Sequence, residues 1–122
     1  MSQHSILLIE NDPGLLEMLS LILEQEGYRV SHYTCAEHAL RIESESPDLA
    51  ILDYRLPGMD GLALLEQLRF RSPTLPALII SSECRPESLP CGAPSTRLLR
   101  KPFVYATFMA SVADLLKSGV RP

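Results

Sequence analysis

The feature that most constrains this chain is a short apolar run that ends on a carboxylate. Residues 49–52 read Leu-Ala-Ile-Leu, and Asp53 follows them directly. Four apolar residues are too few for a helix, so the run predicts a strand that is buried on both faces. A Leu-Pro-Gly turn at 56–58 comes next, and Asp60 with Gly61 then predicts the start of a helix. Asp53 is therefore expected where a strand ends and its loop begins, which is where open parallel sheets bind ligands.

Four further segments are typical of strands, and they alternate with helical segments. The predicted strands are 5–9, 28–33, 77–80 and 96–100, and the predicted helices are 13–26, 36–45, 62–71 and 103–117. This alternation implies a parallel sheet with right-handed crossovers and helices on both faces. We predict an α/β fold, a flavodoxin-like doubly wound sheet of five parallel strands in the order 2-1-3-4-5. A shortened or missing fourth helix is expected, because Pro86, Pro90 and Pro94 interrupt the segment that would form it.

Length and composition limit the classes of protein that need be considered. The chain has 122 residues, and we expect a single domain that spans 1–122. A net charge of −4 without a basic cluster argues against direct nucleic-acid binding by this domain. No apolar run approaches the ~20 residues that cross a bilayer, so no membrane association and a cytoplasmic location are expected. Three cysteines without a CxxC pair indicate neither a disulfide framework nor a zinc site.

Four of the predicted strands end on side chains that can do chemistry: Glu10, Asp53, Ser81 and Lys101. Because parallel strands direct their carboxyl ends to one edge of the sheet, these side chains should share one crevice. The set suits phosphoryl transfer onto Asp53, with Lys101 and Ser81 binding phosphoryl oxygens and a divalent cation held by the acidic residues. Mg²⁺ fits this role, since it binds through a few carboxylates and keeps several waters. Each residue taken alone could equally be a cap, a turn former or a solvent-exposed charge.

The run LDYRLPGMDG at 52–61 closely resembles the phosphoacceptor strand and loop of receiver domains, and the KPF run at 101–103 supports the likeness. Receiver domains are the regulatory modules of two-component response regulators, the chemotaxis regulators among them. The resemblance implies that Asp53 is the phosphorylated residue and that Glu10 is the first of an acidic pair. It also implies that Ser81 is the switch hydroxyl and Lys101 the phosphate-binding lysine.

Three departures from the usual receiver pattern bear on function. Asn11 stands at the second acidic position, the direct metal ligand of the family, and its neutral amide makes weak Mg²⁺ binding the expectation. Leu98 stands at the aromatic switch position, so the usual coupling of hydroxyl to aromatic ring is not expected. The proline-rich segment replaces the fourth helix. The set predicted to hold Mg²⁺ consists of Glu10, Asn11, Asp53 and the backbone carbonyl of Arg55.

The resemblance implies a phosphoacceptor domain in a two-component phosphorelay. Asp53 would take a phosphoryl group from the phosphohistidine of a sensor histidine kinase or a histidine phosphotransfer protein. The signal would pass to an output partner or effector domain through a changed protein-binding surface. The domain would catalyse its own phosphorylation and dephosphorylation instead of acting as a conventional enzyme.

Two other functions were weighed against this one. A pseudo-receiver, which binds a partner without any phosphorylation, is the principal alternative, and Asn11 and Leu98 motivate it. A free-standing phosphatase or other hydrolase is less favoured, because no second catalytic acid or base is evident.

Arg55 and Glu83 form a further candidate pair beside the predicted site. Arg55 lies two residues after the phosphoacceptor, and Glu83 lies two residues after the switch hydroxyl. Both should extend from adjacent loops over the mouth of the site with opposite charges within reach. We predict that they gate the approach of water to the phosphorylated aspartate, although an incidental surface contact is the simpler interpretation.

Overall fold

The computed structural model describes residues 3–42, 46–83 and 95–118. Its elements in chain order are β1 (Ser5–Ile9), α1 (Pro13–Gln25), β2 (Arg29–Tyr33), α2 (Ala36–Ile42), β3 (Leu49–Asp53), β4 (Arg55–Leu56), β5 (Met59–Asp60), α3 (Gly61–Arg71), β6 (Ala77–Ser81), β7 (Thr96–Arg100) and α4 (Tyr105–Ser118). Within these ranges, none of the helices combines the length and apolar character that a membrane span requires.

Five of the strands form one parallel sheet in the order β2-β1-β3-β6-β7. This is the predicted order 2-1-3-4-5 once the small β4–β5 hairpin is set aside, so the predicted flavodoxin-like fold is confirmed. The switch in strand order lies between β1 and β3, the two strands that lead to Glu10 and Asp53. The shortened or missing fourth helix was predicted within 84–94, which lies outside the described residues.

Alternate residues of each central strand pack into two separate cores. In β3, Leu49 and Ile51 pack with leucines of α1 and with Phe108 of α4. Ala50 and Leu52 pack on the opposite face, against α2 and α3. These four side chains are fully buried, which explains why the strand reads as an unbroken apolar run up to Asp53.

Local signals set the helix ends close to their predicted positions. The Asp12 carboxylate caps α1 by accepting a 2.9 Å hydrogen bond from the N–H of Gly14, and Pro13 occupies the first helical position. Gly27 follows the end of α1 with a φ of 92°, a left-handed conformation that glycine adopts without strain. The Asp60 carboxylate caps α3 through a 2.8 Å hydrogen bond from the N–H of Ala63.

The hairpin between β3 and α3 was not predicted. Arg55 pairs with Asp60 and Leu56 with Met59 in antiparallel register, and Gly58 has a φ of 84° in the turn. Strands of two residues are too short to produce a periodic pattern, so the sequence indicated only the turn. The hairpin matters because it folds the loop after Asp53 back on itself beside the end of β3.

Two phenylalanines, one buried and one exposed, allow a test of the described packing. Phe108 is a fully buried residue of α4, whereas Phe70 of α3 is 86% exposed. We expect Phe108→Ala to lower the free energy of unfolding by about 3–5 kcal/mol, because it removes packed apolar surface and leaves a cavity. Phe70→Ala should change it by no more than about 0.5 kcal/mol. Urea denaturation followed by circular dichroism measures both, and equal losses would contradict the described packing.

Candidate functional site

Four strand ends meet in one cleft at the carboxyl edge of the sheet. Glu10 follows β1, Asp53 ends β3, Ser81 ends β6 and Lys101 follows β7. The cleft has a volume of about 190 Å³, and it is lined by Glu10, Asn11, Asp12, Asp53, Arg55, Ser81, Ser82, Glu83 and Lys101. All the site residues predicted from the sequence therefore line the same cleft.

The ammonium group of Lys101 joins the two buried carboxylates. Its Nζ lies 3.1 Å from Glu10 Oε1 and 3.5 Å from Asp53 Oδ1, and it donates a 3.3 Å hydrogen bond to Glu10 Oε2. The backbone N–H of Lys101 donates a 2.9 Å hydrogen bond to the carbonyl of Ser81, which extends the β6–β7 pairing by one residue. The sheet register thus brings the cation to carboxylates on β1 and β3.

Glu10 is the most deeply buried charged group of the site, with 1% of its surface exposed. Its Oε2 accepts a 2.9 Å hydrogen bond from the N–H of Asp12. Its Oε1 is buried and accepts no hydrogen bond from the described residues, although Lys101 lies close enough for an ion pair. Burial raises the pKa of Glu10; the Asp12 N–H opposes this rise, and the neighbouring Asp53 carboxyl adds to it. Additional positive charge in the cleft would therefore stabilise the Glu10 carboxylate.

The Asp53 carboxylate is held by backbone donors from two sides. The N–H of Asn11 lies 3.4 Å from Oδ2, and the N–H of Arg55 lies 3.4 Å from Oδ1. Hydrogen bonds of this length are weak, so they orient the Asp53 carboxylate but neutralise little of its negative charge. Asp53 is 5% exposed and faces the cleft beside Lys101, which suits a nucleophile that must stay ionised.

Ser81 is a buried hydroxyl at the end of β6, with 2% of its surface exposed. Its Oγ accepts a 2.9 Å hydrogen bond from the N–H of Glu83. A hydroxyl can donate as well as accept a hydrogen bond, and Ser81 lines the same cleft as Asp53. Leu98, at the aromatic switch position, is a half-buried residue of β7 that packs against the α2–α3 core.

Arg55 and Glu83 contact each other at the mouth of the cleft. Arg55 Nε donates a 2.9 Å hydrogen bond to Oε2, and Nη2 donates a 2.5 Å hydrogen bond to Oε1. The hydrogen bond with Glu83 raises the pKa of Arg55, and the same contact lowers the pKa of Glu83. The two side chains are 74% and 48% exposed, so the pair is a solvated bidentate contact.

The cleft provides oxygen ligands for a divalent cation, with one negative charge fewer than a set that had a carboxylate at position 11. Glu10 and Asp53 contribute carboxylates, whereas Asn11 contributes an amide. Within 3–42, 46–83 and 95–118, no group of three or more His, Cys, Asp or Glu side chains is placed to hold a metal ion. The two buried carboxylates of Glu10 and Asp53 share the single ammonium group of Lys101, and this imbalance of charge is the observation that favours a cation here.

Two functional features were missed by the sequence analysis. A Cβ atom on Gly61 would lie 2.5 Å from the carbonyl oxygen of Asp53, so only glycine allows the hairpin to approach this closely. The Gly61 N–H also donates a 2.7 Å hydrogen bond to the carbonyl of Tyr54. Asp12 was not among the predicted site residues, but it lines the cleft and its backbone N–H holds Glu10. The glycine that follows Asp60 was the sequence signal for this close approach to Asp53. It is equally typical of an ordinary helix start.

Comparison with known proteins assigns this fold and site to a class of signalling domain. The sequence profile of the family described as the response regulator receiver domain matches residues 6–112. The chain is 32% identical over 118 residues to the transcriptional regulatory protein CssR of Bacillus subtilis (strain 168), with 93% of this chain and 52% of CssR covered. It is 38% identical over 117 residues to the transcriptional activator protein PfeR of Pseudomonas aeruginosa, with 92% of this chain and 37% of PfeR covered.

Solved structures agree with these sequence matches. A CheY-like response regulator receiver domain protein from Methanospirillum hungatei JF-1 superposes with a TM-score of 0.87 at 27% identity, and 97% of each chain is covered. The signal receiver domain of a histidine kinase from Syntrophus aciditrophicus gives a TM-score of 0.83 at 32% identity, with 98% of this chain and 94% of that chain covered. This chain belongs to the receiver domain family of two-component response regulators. It spans about half of CssR and about a third of PfeR.

The close approach at Gly61 gives a test of how the phosphoacceptor backbone is positioned. We expect Gly61→Ala to lower the free energy of unfolding by about 1–3 kcal/mol, because the new methyl group overlaps the Asp53 carbonyl. Gly14→Ala is the matched control, since its Cβ would lie an ordinary 3.5 Å from the nearest neighbouring atom, Asp12 Oδ1. Chemical denaturation measures the loss, and amide NMR shifts locate it. A Gly61→Ala protein as stable as the control would refute this explanation.

Proposed function

We propose that residues 1–122 form a single receiver domain that accepts a phosphoryl group on Asp53. The donor is the phosphohistidine of a sensor histidine kinase or of a histidine phosphotransfer protein. The observation that carries the proposal is the Lys101 ammonium, which lies within 3.5 Å of both Asp53 and Glu10 in the cleft. A cation in that position can stabilise the negative charge of the Asp53 carboxylate before the transfer and that of the phosphoryl oxygens during it.

The transfer requires one bond to form and one to break. An Asp53 carboxylate oxygen attacks phosphorus in line with the N–P bond of the donor, and the electron pair of that bond leaves with the imidazole. Lys101 pairs with the phosphoryl oxygens, and the Ser81 hydroxyl donates a hydrogen bond to another of them. Hydrolysis regenerates the Asp53 carboxylate: water attacks the phosphorus, the P–O bond to Asp53 breaks with its electron pair left on the Asp53 oxygen, and inorganic phosphate leaves with the protons of the water.

Receiver domains generally bind Mg²⁺ for phosphorylation. In this chain Glu10, Asn11, Asp53 and the backbone carbonyl of Arg55 are the residues that would hold the ion. Bound Mg²⁺ supplies positive charge that offsets the phosphoryl oxygens. Binding is weak in this proposal, because Asn11 lowers the negative charge of the ligand set by one relative to a carboxylate.

The output is a changed protein-binding surface that an effector domain or separate partner reads. The relatives CssR and PfeR are described as transcriptional regulators and are longer than this chain, which supports a role in regulating a further module. The proposal includes a cytoplasmic location. It does not include direct nucleic-acid binding by the domain itself. No feature of the described residues favours the pseudo-receiver, since Asp53, Ser81 and Lys101 all line the cleft.

The phosphorylation site can be tested by intact mass. Incubation with acetyl phosphate and Mg²⁺ should add the mass of one phosphoryl group to the wild-type protein. Asp53→Asn should abolish the gain, because the amide is not a nucleophile under these conditions. Asp60→Asn, which changes an exposed carboxylate in the same loop, is the control and should keep the gain. A phosphoryl group retained by Asp53→Asn would overturn the assignment.

The charge argument for weak metal binding has its own test. We expect Asn11→Asp to tighten Mg²⁺ binding on the order of tenfold, because a third carboxylate joins the ligand set. Gln67→Glu adds the same charge on the exposed surface of α3 and should leave the affinity unchanged. Isothermal titration calorimetry compares the three proteins. Equal affinity of Asn11→Asp and wild type would show that charge at this position does not limit binding.

The bidentate contact of Arg55 with Glu83 supports the proposed gate. The two side chains reach across the mouth of the cleft from the loops after β3 and β6, where a water attacking the phosphorylated Asp53 would approach. A closed pair would occupy this path and slow hydrolysis. Since exposed ion pairs contribute only about 0–1 kcal/mol, the expected effect on the rate is at most about fivefold.

We expect Arg55→Ala and Glu83→Ala each to speed dephosphorylation by about two- to fivefold. The double variant should be little faster than either single one, because either change opens the same contact. Decay of the phosphorylated protein after removal of the donor gives the rates. Asp114→Ala is the control, because it breaks the exposed ion pair between Asp114 of α4 and Arg97 of β7. Rates that multiply in the double variant would indicate two independent effects in place of one gate.

A further inference from the structure

A second arginine lies beside Glu83. Arg100 ends β7 and pairs in register with Ser81, the last residue of β6. Neighbouring strands are about 4.8 Å apart, so the Arg100 side chain starts close to the residues that follow Ser81. Its Nη2 lies 3.5 Å from the carbonyl oxygen of Ser82. That carbonyl belongs to the peptide group that joins Ser82 to Glu83, so the guanidinium lies next to the backbone from which the Glu83 side chain extends.

Arg100 is weakly held in this position. A distance of 3.5 Å is at the outer limit of a hydrogen bond, and the side chain is exposed. Among the carboxylates of the described residues, none forms an ion pair with Arg100. Arg97 of the same strand differs, because it pairs with Asp114 at 3.3 Å. As far as the described residues 3–42, 46–83 and 95–118 are concerned, Arg100 can therefore accept a carboxylate partner without first breaking another ion pair.

The present partner of Glu83 is also exchangeable. Arg55 is 74% exposed and Glu83 is 48% exposed, so water and salt compete with their contact. The backbone of Glu83 stays fixed during an exchange, because its N–H is bonded to the buried Ser81 hydroxyl. The exchange then requires only a rotation of the Glu83 side chain, away from Arg55 and towards Arg100.

We propose that Glu83 alternates between Arg55 and Arg100, and that the two pairings are the closed and open states of the gate. This inference deepens the proposed function and rests on phosphorylation of Asp53. In the closed state the Arg55–Glu83 contact covers the approach to Asp53. In the open state Glu83 pairs with Arg100 and water reaches the phosphoryl group. Arg100, which was not among the predicted site residues, thereby sets the lifetime of the phosphorylated form.

The kinetic test depends on the sign of the effect. Removing Arg55 leaves Glu83 in the open state, whereas Arg100→Ala removes the partner that stabilises the open state and so shifts Glu83 towards the closed pairing. We expect Arg100→Ala to slow dephosphorylation by about two- to fivefold, opposite to Arg55→Ala. In a Glu83→Ala background, Arg100→Ala should have no further effect. Arg97→Ala is the matched control, since it removes an exposed arginine from the same strand.

A second measurement uses the unphosphorylated protein. A guanidinium in bidentate contact with a carboxylate shows a downfield Nε–H proton and slow exchange with solvent in NMR spectra of ¹⁵N-arginine-labelled protein. The wild type should show this signature mainly at Arg55. In Arg55→Ala it should appear at Arg100, and it should disappear in the double variant Arg55→Ala/Glu83→Ala.

Each result decides the inference. Slower decay of Arg100→Ala that depends on Glu83, together with the NMR signature at Arg100, supports the exchange. Unchanged or faster decay of Arg100→Ala overturns it, and faster decay would make Arg100 a support for the Ser82 carbonyl. If no phosphorylated protein forms at all, the proposed function fails, and the NMR measurement still decides whether Glu83 exchanges partners.

Discussion

The site depends on one ammonium group that serves two buried carboxylates. Glu10 and Asp53 are almost completely buried, and two neighbouring carboxylates in a poorly solvated place disfavour each other's charge. Lys101 lies within 3.5 Å of both, so it is the contact that lets the pair exist inside the fold. Removing one partner of such a group leaves an uncompensated buried charge, which costs several kcal/mol. One ammonium group balances only one of the two carboxylate charges, and the remaining negative charge is what prepares the cleft for a cation.

Much of the fold was readable from the sequence because central parallel strands are buried on both faces. The runs at 6–9, 49–52 and 77–80 are continuous apolar segments for that reason, and the polar residues that follow them mark the carboxyl edge of the sheet. Asp12 with Pro13 and the glycine at 27 marked the ends of α1 through local chemistry alone. Strand order followed from topology rules, which left few arrangements for five strands alternating with helices.

Features that depend on the exact distance between atoms could not be predicted from the sequence. The β4–β5 hairpin has strands of two residues, and no periodic pattern exists at that length. Gly61 is required by a backbone atom of Asp53, yet glycine after a capping aspartate is an ordinary helix start. The bridge from Arg55 to Glu83 was anticipated from equal offsets along two adjacent loops, whereas its bidentate geometry required coordinates. Arg100 gave no signal, because its relevance comes from its register with Ser81.

The separation of the site residues along the chain has a consequence for folding. Lys101 and Glu10 are 91 residues apart, and β7, which delivers the lysine, is the last strand of the sheet. Contacts between distant residues carry a large loop-closure entropy, and they form only as the sheet is completed. A chain in which β7 has not docked has two facing carboxylates and no cation between them. Competence to receive a phosphoryl group is therefore a property of the finished sheet, so a kinase would have no functional acceptor in a nascent or partly unfolded chain.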